Sequence, residues 1–153
     1  MKINLKRGDT RVKIDLSDLQ KNKKKAQYLL DSQIMHDMTP YMPLVSGVFI
    51  QLTRTRSAAL AGTGVVCAAT TPYGRYLYYG KKMVDSQTGR GPRRMVMPDG
   101  EVIYRYRKGA TLTATNTPLH YSNASARAEW YKVAKKKHID EWTDLVEEAL
   151  LDG

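Results

Sequence analysis

Two long amphipathic stretches, one near each end of the chain, fix most of what it can become. In the first, Leu19, Ala26, Leu30, Ile34 and Met38 fall four or seven residues apart, which lines them along one face of a helix. Ser17-Asp18-Leu19-Gln20 has the form of a capping box, in which a hydroxyl and an amide satisfy the first unpaired backbone donors. Pro40 and Pro43 follow; each lacks an N–H and disfavours helix in the residue before it. The spacing predicts a helix over 17–38. In the second stretch Trp130, Val133, Ala134, His138, Trp142, Leu145, Val146 and Ala149 recur at helical spacing behind Ser122-Asn123, residues that cap helices well. Acids gather late in this stretch, where the helix dipole favours cations. A basic partner surface would resolve that conflict.

Between these stretches the residues read as short strands. Arg11-Val12-Lys13-Ile14-Asp15-Leu16 alternates with the period of a half-buried strand. Phe49–Arg54 and Val65–Ala69, joined at the small-residue turn Ala61-Gly62-Thr63-Gly64, predict one antiparallel hairpin. Arg94–Met97 and Val102–Tyr106, flanking Pro98-Asp99-Gly100, predict a second. Thr111–Thr115 can add another strand, and the Gly-, Lys- and Arg-rich stretch from Gly80 to Arg94 reads as a mobile loop. The expected architecture is α+β, a small antiparallel sheet packed on a long N-terminal helix and a long C-terminal helix. The 153 residues suit one domain, 1–153.

The composition, 42% hydrophobic and 26% charged, is that of a globular chain. No apolar run reaches the length of a membrane span, and Met1–Arg7 alternates charged and apolar residues, unlike an ordinary secretory leader. Cys67 is the only cysteine, so an intramolecular disulfide and a thiolate metal cage are excluded, and synthesis in a reducing cytoplasm is expected.

Catalytic groups are sparse. The histidines are His36, His120 and His138. None has a second histidine three or four residues away, as a helical metal pair requires; His138 reads as a packing or capping residue. Cys67 lies between Val66 and Ala68 with no basic activator nearby, the setting of a structural thiol. Gly62-Thr63-Gly64 and Gly89-Arg90-Gly91 lack the remaining residues of a phosphate loop and read as turns. Asp140-Glu141 and Glu147-Glu148 are adjacent helical pairs that do not converge on one point. The expectation is a protein that is not an enzyme, with no cofactor and no metal.

The net charge of +10 is unevenly spread: residues 75–108 hold nine Lys/Arg against three acids, whereas the last thirty residues hold seven acids against five bases. This asymmetry suits a surface facing nucleic acid or complementary patches that dock copies together, and it also serves plain solubility. Tyr76, Tyr78, Tyr79, Tyr104 and Tyr106 interleave with the basic residues. Tyr and Arg stack and track phosphates, and they equally build protein interfaces.

Three segments, in order, resemble the phage minor capsid proteins of the head–tail region of long-tailed phages of Gram-positive hosts. Tyr41-Met42-Pro43-Leu44-Val45-Ser46-Gly47 is similar to that family's proline–x–x–x–glycine turn after the first helix. Thr71-Pro72-Tyr73-Gly74-Arg75-Tyr76-Leu77-Tyr78-Tyr79-Gly80 is close to its Thr-Pro-Tyr-Ala-Arg-x-Leu-Tyr-Tyr pattern. Asn123–Tyr131, followed by Ala134, Lys135 and His138, looks like its capped helix with an Ala-Arg-x-x-Trp-Phe core.

The resemblance implies a tail-completion or head–tail connector subunit. Such a subunit forms a homo-oligomeric ring (hexamer or dodecamer) around the DNA channel of the virion neck. It is made in the host cytoplasm and contacts other neck, portal-adaptor or tail-tube proteins, and no membrane. The stretch about 81–120 departs from the simplest members as an insertion with a hairpin. Interface candidates are Tyr73, Arg75, Tyr76, Tyr78, Tyr79 and Arg127; Lys81, Lys82, Arg90, Arg93 and Arg94 are candidates for contact with DNA in the lumen or with a partner.

Overall fold

The fold uses the stripe that predicts the first helix from Ala26 onward, while Leu19 at its start is 50% exposed. In the computed structural model, which describes residues 2–7, 10–44, 47–70 and 74–151, with side chains from residue 17 onward, a short hairpin of β1 (Lys2–Arg7) and β2 (Thr10–Asp15) leads directly into α1 (Leu16–Met38). The helix starts one residue before the expected cap at Ser17, an offset within the ordinary fraying of helix ends. Ala26, Ile34 and Met38 of the stripe are buried, and a short 3-10 turn at Thr39–Tyr41 places Pro40 where its missing N–H is tolerated.

The C-terminal helix, α4 (Trp130–Leu151), packs antiparallel to α1. Asn22, early in α1, donates to the Leu150 carbonyl at 3.3 Å, and Asp37, late in α1, accepts the Trp142 indole N–H at 2.7 Å. Ile34, Met35, Met38, Met42, Phe49, Trp130, Ala134 and Trp142 form the core. Three methionines there fit the irregular space beside the indoles, as unbranched thioethers do.

Phe49–Arg54 is not a strand. It belongs to α2 (Val48–Leu60), and Val65–Ala69 has no regular structure. Phe49, Thr53 and Ser57, four apart, form the buried face of α2. A pairing as strands would have put Phe49 and Thr53 on the same face only by exposing Ile50 and Leu52 together on the other. Thr53 Oγ1 donates back to the Phe49 carbonyl at 2.8 Å and accepts the Thr70 N–H at 3.3 Å, so the 65–70 segment runs past α2 without pairing to it as a strand. The Ala61–Gly64 turn is as expected. The buried Asp31 carboxylate accepts the Gly62 and Gly64 N–H groups at 2.8 and 3.0 Å, and the Gln27 amide at 2.8 Å.

Two further strand pairs occupy the middle. β3 (Lys81–Asp85) pairs antiparallel with β6 (Leu112–Pro118), and between them β4 (Arg93–Val96) pairs with β5 (Val102–Arg105). The Pro98-Asp99-Gly100 turn is closed by Met97 N–H donating to the Glu101 carbonyl at 2.8 Å. Gly100, at φ 86°, takes the left-handed position that a β-carbon would disfavour. The stretch read as a mobile loop thus begins with a strand and turns around Asp85, whose amide donates to the Arg90 carbonyl at 2.9 Å. The α+β class holds. Among the described residues its antiparallel part is three separate two-stranded sheets where one sheet was expected.

Candidate functional site

The three family-like segments lie as much as 80 residues apart in the chain, and they meet at the entrance to α4. Trp130 opens α4 fully buried, its ring edge-on to Tyr78 at 4.9 Å and to Phe49 at 6.0 Å. Its N–H donates to the Ala68 carbonyl at 2.9 Å. Tyr78 lies on α3 (Gly74–Tyr79), the short helix formed by the second segment. The Tyr78 carbonyl accepts the Glu129 N–H at 2.7 Å, and the Tyr41 carbonyl of the first segment accepts the Arg127 N–H at 3.0 Å.

Asn123 ties the first segment to the third. Its amide donates to the Met42 carbonyl at 3.1 Å and its oxygen accepts the Leu44 N–H at 2.9 Å. The expected role of Ser122-Asn123 as the cap of a helix is therefore corrected: residues 122–129 are irregular and α4 begins at Trp130. The asparagine amide is engaged by another segment's backbone. Glu129 ends the irregular run at φ 51°, the one non-glycine residue with positive φ among those described, a conformation that persists only where surroundings enforce it. Here the Tyr78 carbonyl, and the pairing of its carboxylate with the Lys132 ammonium, supply that enforcement.

Beside this junction a concavity of about 660 Å³ lies between α3 and the β3–β6 pair, lined by Arg75, Tyr76, Tyr79, Lys81 and Glu129 among others. Arg75 and Tyr79 are exposed and Tyr76 is half-buried. Tyr78 gives one edge to the core, and burial followed by the Glu129 charge raises its phenol above the usual range. Arg127 is exposed, its guanidinium donating to the Ala124 and Ala126 carbonyls at 2.6 and 2.8 Å. Tyr73, with Thr71 and Pro72, lies outside the described residues, as do Val45 and Ser46.

The basic candidates divide between two places. Lys81 and Lys82 stand exposed on β3, and Arg90 on the turn that follows; Arg93 and Arg94 are exposed on β4. The β4–β5 hairpin carries exposed apolar residues as well, with Val96 59% and Tyr104 64% accessible. Arg93 stands directly opposite Arg105, a like-charge pair that destabilises a sheet unless an anion relieves it. At the base of the hairpin the buried Asp85 carboxylate accepts the Gln87 N–H and an Arg107 N–H, each at 3.0 Å. These bonds, the backbone one foremost, hold its carboxyl below the ordinary carboxylate range. The sequence did not reveal the long-range roles of Asp85, Asn123 and Glu129, because Asp85 takes Arg107, Asn123 takes Met42 and Leu44, and the Glu129 N–H takes Tyr78 from distant parts of the chain.

Of the groups weighed for chemistry, His36 and His120 are exposed and unconnected to one another. Cys67 is half-buried with its thiol 3.5 Å from the Ala69 carbonyl. His138 stands 2.7 Å from Glu141 and close to Asp37 of α1. No helix among the described residues is long and apolar enough to cross a membrane. No family model matches the chain, and neither a curated protein nor a solved structure matches it.

Proposed function

We propose that this chain is a structural, non-enzymatic subunit of a phage head–tail junction, one copy in a homo-oligomeric ring that joins the portal complex to the tail around the DNA channel. The observation that carries the reading is the convergence, at the residues leading into α4, of the three segments that resemble the minor capsid proteins. Segments that share one junction are constrained together, which is what a family pattern scattered along a chain records. The exposed hairpin supports assembly. A two-stranded ribbon is marginal alone in water, and apolar side chains such as Met95, Val96 and Tyr104 are exposed along it. A neighbour would cover them. Exposed Asp144, Glu147 and Glu148 on α4 offer the counterpart to its arginines on the next copy, the two-patch arrangement a closed ring needs.

Gold-labelled antibody against the chain, applied to intact particles, is expected to mark the portal–tail junction; labelling of the shell alone, or of no particle, refutes the reading. In the same system Arg75→Ala is expected to leave the thermal melt of the isolated protein unchanged while producing tailless heads. Arg75 is exposed at the rim of the concavity, so a melt that falls with assembly would mean the residue serves the fold.

A second reading, a nucleic-acid-binding module, draws on the Arg93–Arg105 pair, which phosphates would relieve. It predicts duplex or single-strand binding by the isolated chain that weakens steeply with salt. Lack of binding at about 50 mM salt removes it.

A further inference from the structure

The end of α1 and the middle of α4 bring together side chains for which the assembly reading has no use. Asp37 is 9% exposed. Its Oδ2 accepts the Trp142 indole N–H at 2.7 Å and its Oδ1 the Gln33 amide N–H at 2.9 Å. On α4, His138 Nδ1 stands 2.7 Å from Glu141 Oε2. One donor atom from each of Asp37, His138 and Glu141 lies within 4.8 Å of the other two.

Two carboxylates thus surround one imidazole, and one of them is almost out of water. Its hydrogen-bond donors are an amide and an indole, both neutral, and no lysine or arginine among the described residues forms an ion pair with it. A buried carboxylate without a cation is unfavourable, and each of its oxygens has a second lone pair left to give.

We propose that Asp37, His138 and Glu141 bind a divalent first-row transition ion of the zinc type, which links α1 to α4. One imidazole nitrogen with two carboxylate oxygens is a donor set that zinc accepts. Magnesium and calcium favour all-oxygen shells. Gln33 and Trp142 orient the Asp37 carboxylate, the task of outer-shell donors at metal sites. His138 and Glu141 are one helical turn apart and share a face, and the third ligand arrives from the antiparallel helix. A histidine-pair spacing on one helix therefore could not reveal the site. The His138 side chain is 18% exposed and that of Glu141 70%, which leaves an ion a path from solvent, and three protein ligands leave a position for water.

The test is calorimetric titration of zinc chloride into the full chain, free of any histidine tag and stripped with chelator, paired with thermal melts. The expected result is saturable one-to-one binding with a raised melting temperature, and no response to magnesium. Glu141→Gln keeps a hydrogen-bonding group on an exposed position and is expected to weaken binding at least tenfold; His138→Ala is expected to abolish it. Gln33→Ala, which touches no ion, is expected to weaken binding roughly tenfold through the Asp37 carboxylate. Metal-free melts of the variants check that each still folds. Absence of zinc binding overturns the proposal, and so does binding that His138→Ala and Glu141→Gln leave intact. The trio is then only a hydrogen-bonded contact between helices. Either result is independent of where the chain sits in a particle.

Discussion

Trp130→Ala is expected to lower the unfolding free energy by about 3–5 kcal/mol, the usual range for removing a large buried aromatic ring, read from urea or guanidinium melts. The ring is fully buried and packs edge-on against both Tyr78 and Phe49, so truncation leaves a cavity between α3, α2 and the start of α4. It also strips the Ala68 carbonyl of its donor, and an unsatisfied buried acceptor costs about 1–3 kcal/mol by itself. Against a total stability of about 5–15 kcal/mol for an ordinary domain, the variant is expected to be marginal at physiological temperature. Trp130→Phe separates the two contributions, since it refills most of the cavity and restores no donor. A loss below about 1 kcal/mol for Trp130→Ala would mean that this ring does not hold α2 and α3 to the start of α4.

The elements legible in the sequence are those whose signal is local. α1 and α4 announce themselves because each buries one stripe against the other, within helices of 23 and 22 residues. The β4–β5 hairpin is legible because Pro98-Asp99-Gly100 encodes its turn without help from the rest of the chain. α2 was misread for a physical reason. Val48-Phe49-Ile50 and Thr53 carry β-branched and aromatic residues that favour strands in isolation, and propensity of that size yields to tertiary packing. What decides the helix is the Phe49–Thr53–Ser57 line meeting the core, with Thr53 and Thr55 returning their hydroxyls to carbonyls four residues back.

The candidate site was legible only in part. Its second segment could be singled out, because Arg and Tyr so close together are conspicuous. Its division of labour could not. Tyr78 turns one edge toward Trp130, whereas Tyr79 beside it is 54% exposed, and that difference is set by α3, which the sequence did not suggest. Asn123 looked like a helix cap because asparagine often is one. Its amide instead satisfies the backbone at Met42 and Leu44, a pairing 80 residues long that local reasoning has no means to see. Asp37 and His138 likewise belong to helices that were each foreseen, yet their meeting depends on the antiparallel packing of one on the other.

Gly80→Ala is expected to destabilise the protein by roughly 2–4 kcal/mol, combining left-handed backbone strain with overpacking. Gly80 follows Tyr79 at φ 63° and turns the chain from α3 into β3. A β-carbon there would lie 2.8 Å from that of Ala128 and 3.0 Å from the Tyr121 hydroxyl oxygen. Neither neighbour can retreat cheaply. The Tyr121 hydroxyl donates to the Leu77 carbonyl, and Ala128 precedes Glu129, whose N–H is bound to Tyr78. Gly89 provides the control, because it has nearly the same φ, 66°, with nothing within 4 Å of its would-be β-carbon. Gly89→Ala should therefore show the strain alone, about 1–2 kcal/mol, and the excess at Gly80 measures the crowding. Adding Ala128→Gly to Gly80→Ala removes the nearer obstacle and is expected to recover part of that excess. Equal losses at the two glycines, or no recovery in the double variant, would show that the turn after Tyr79 is not pressed against the entrance to α4.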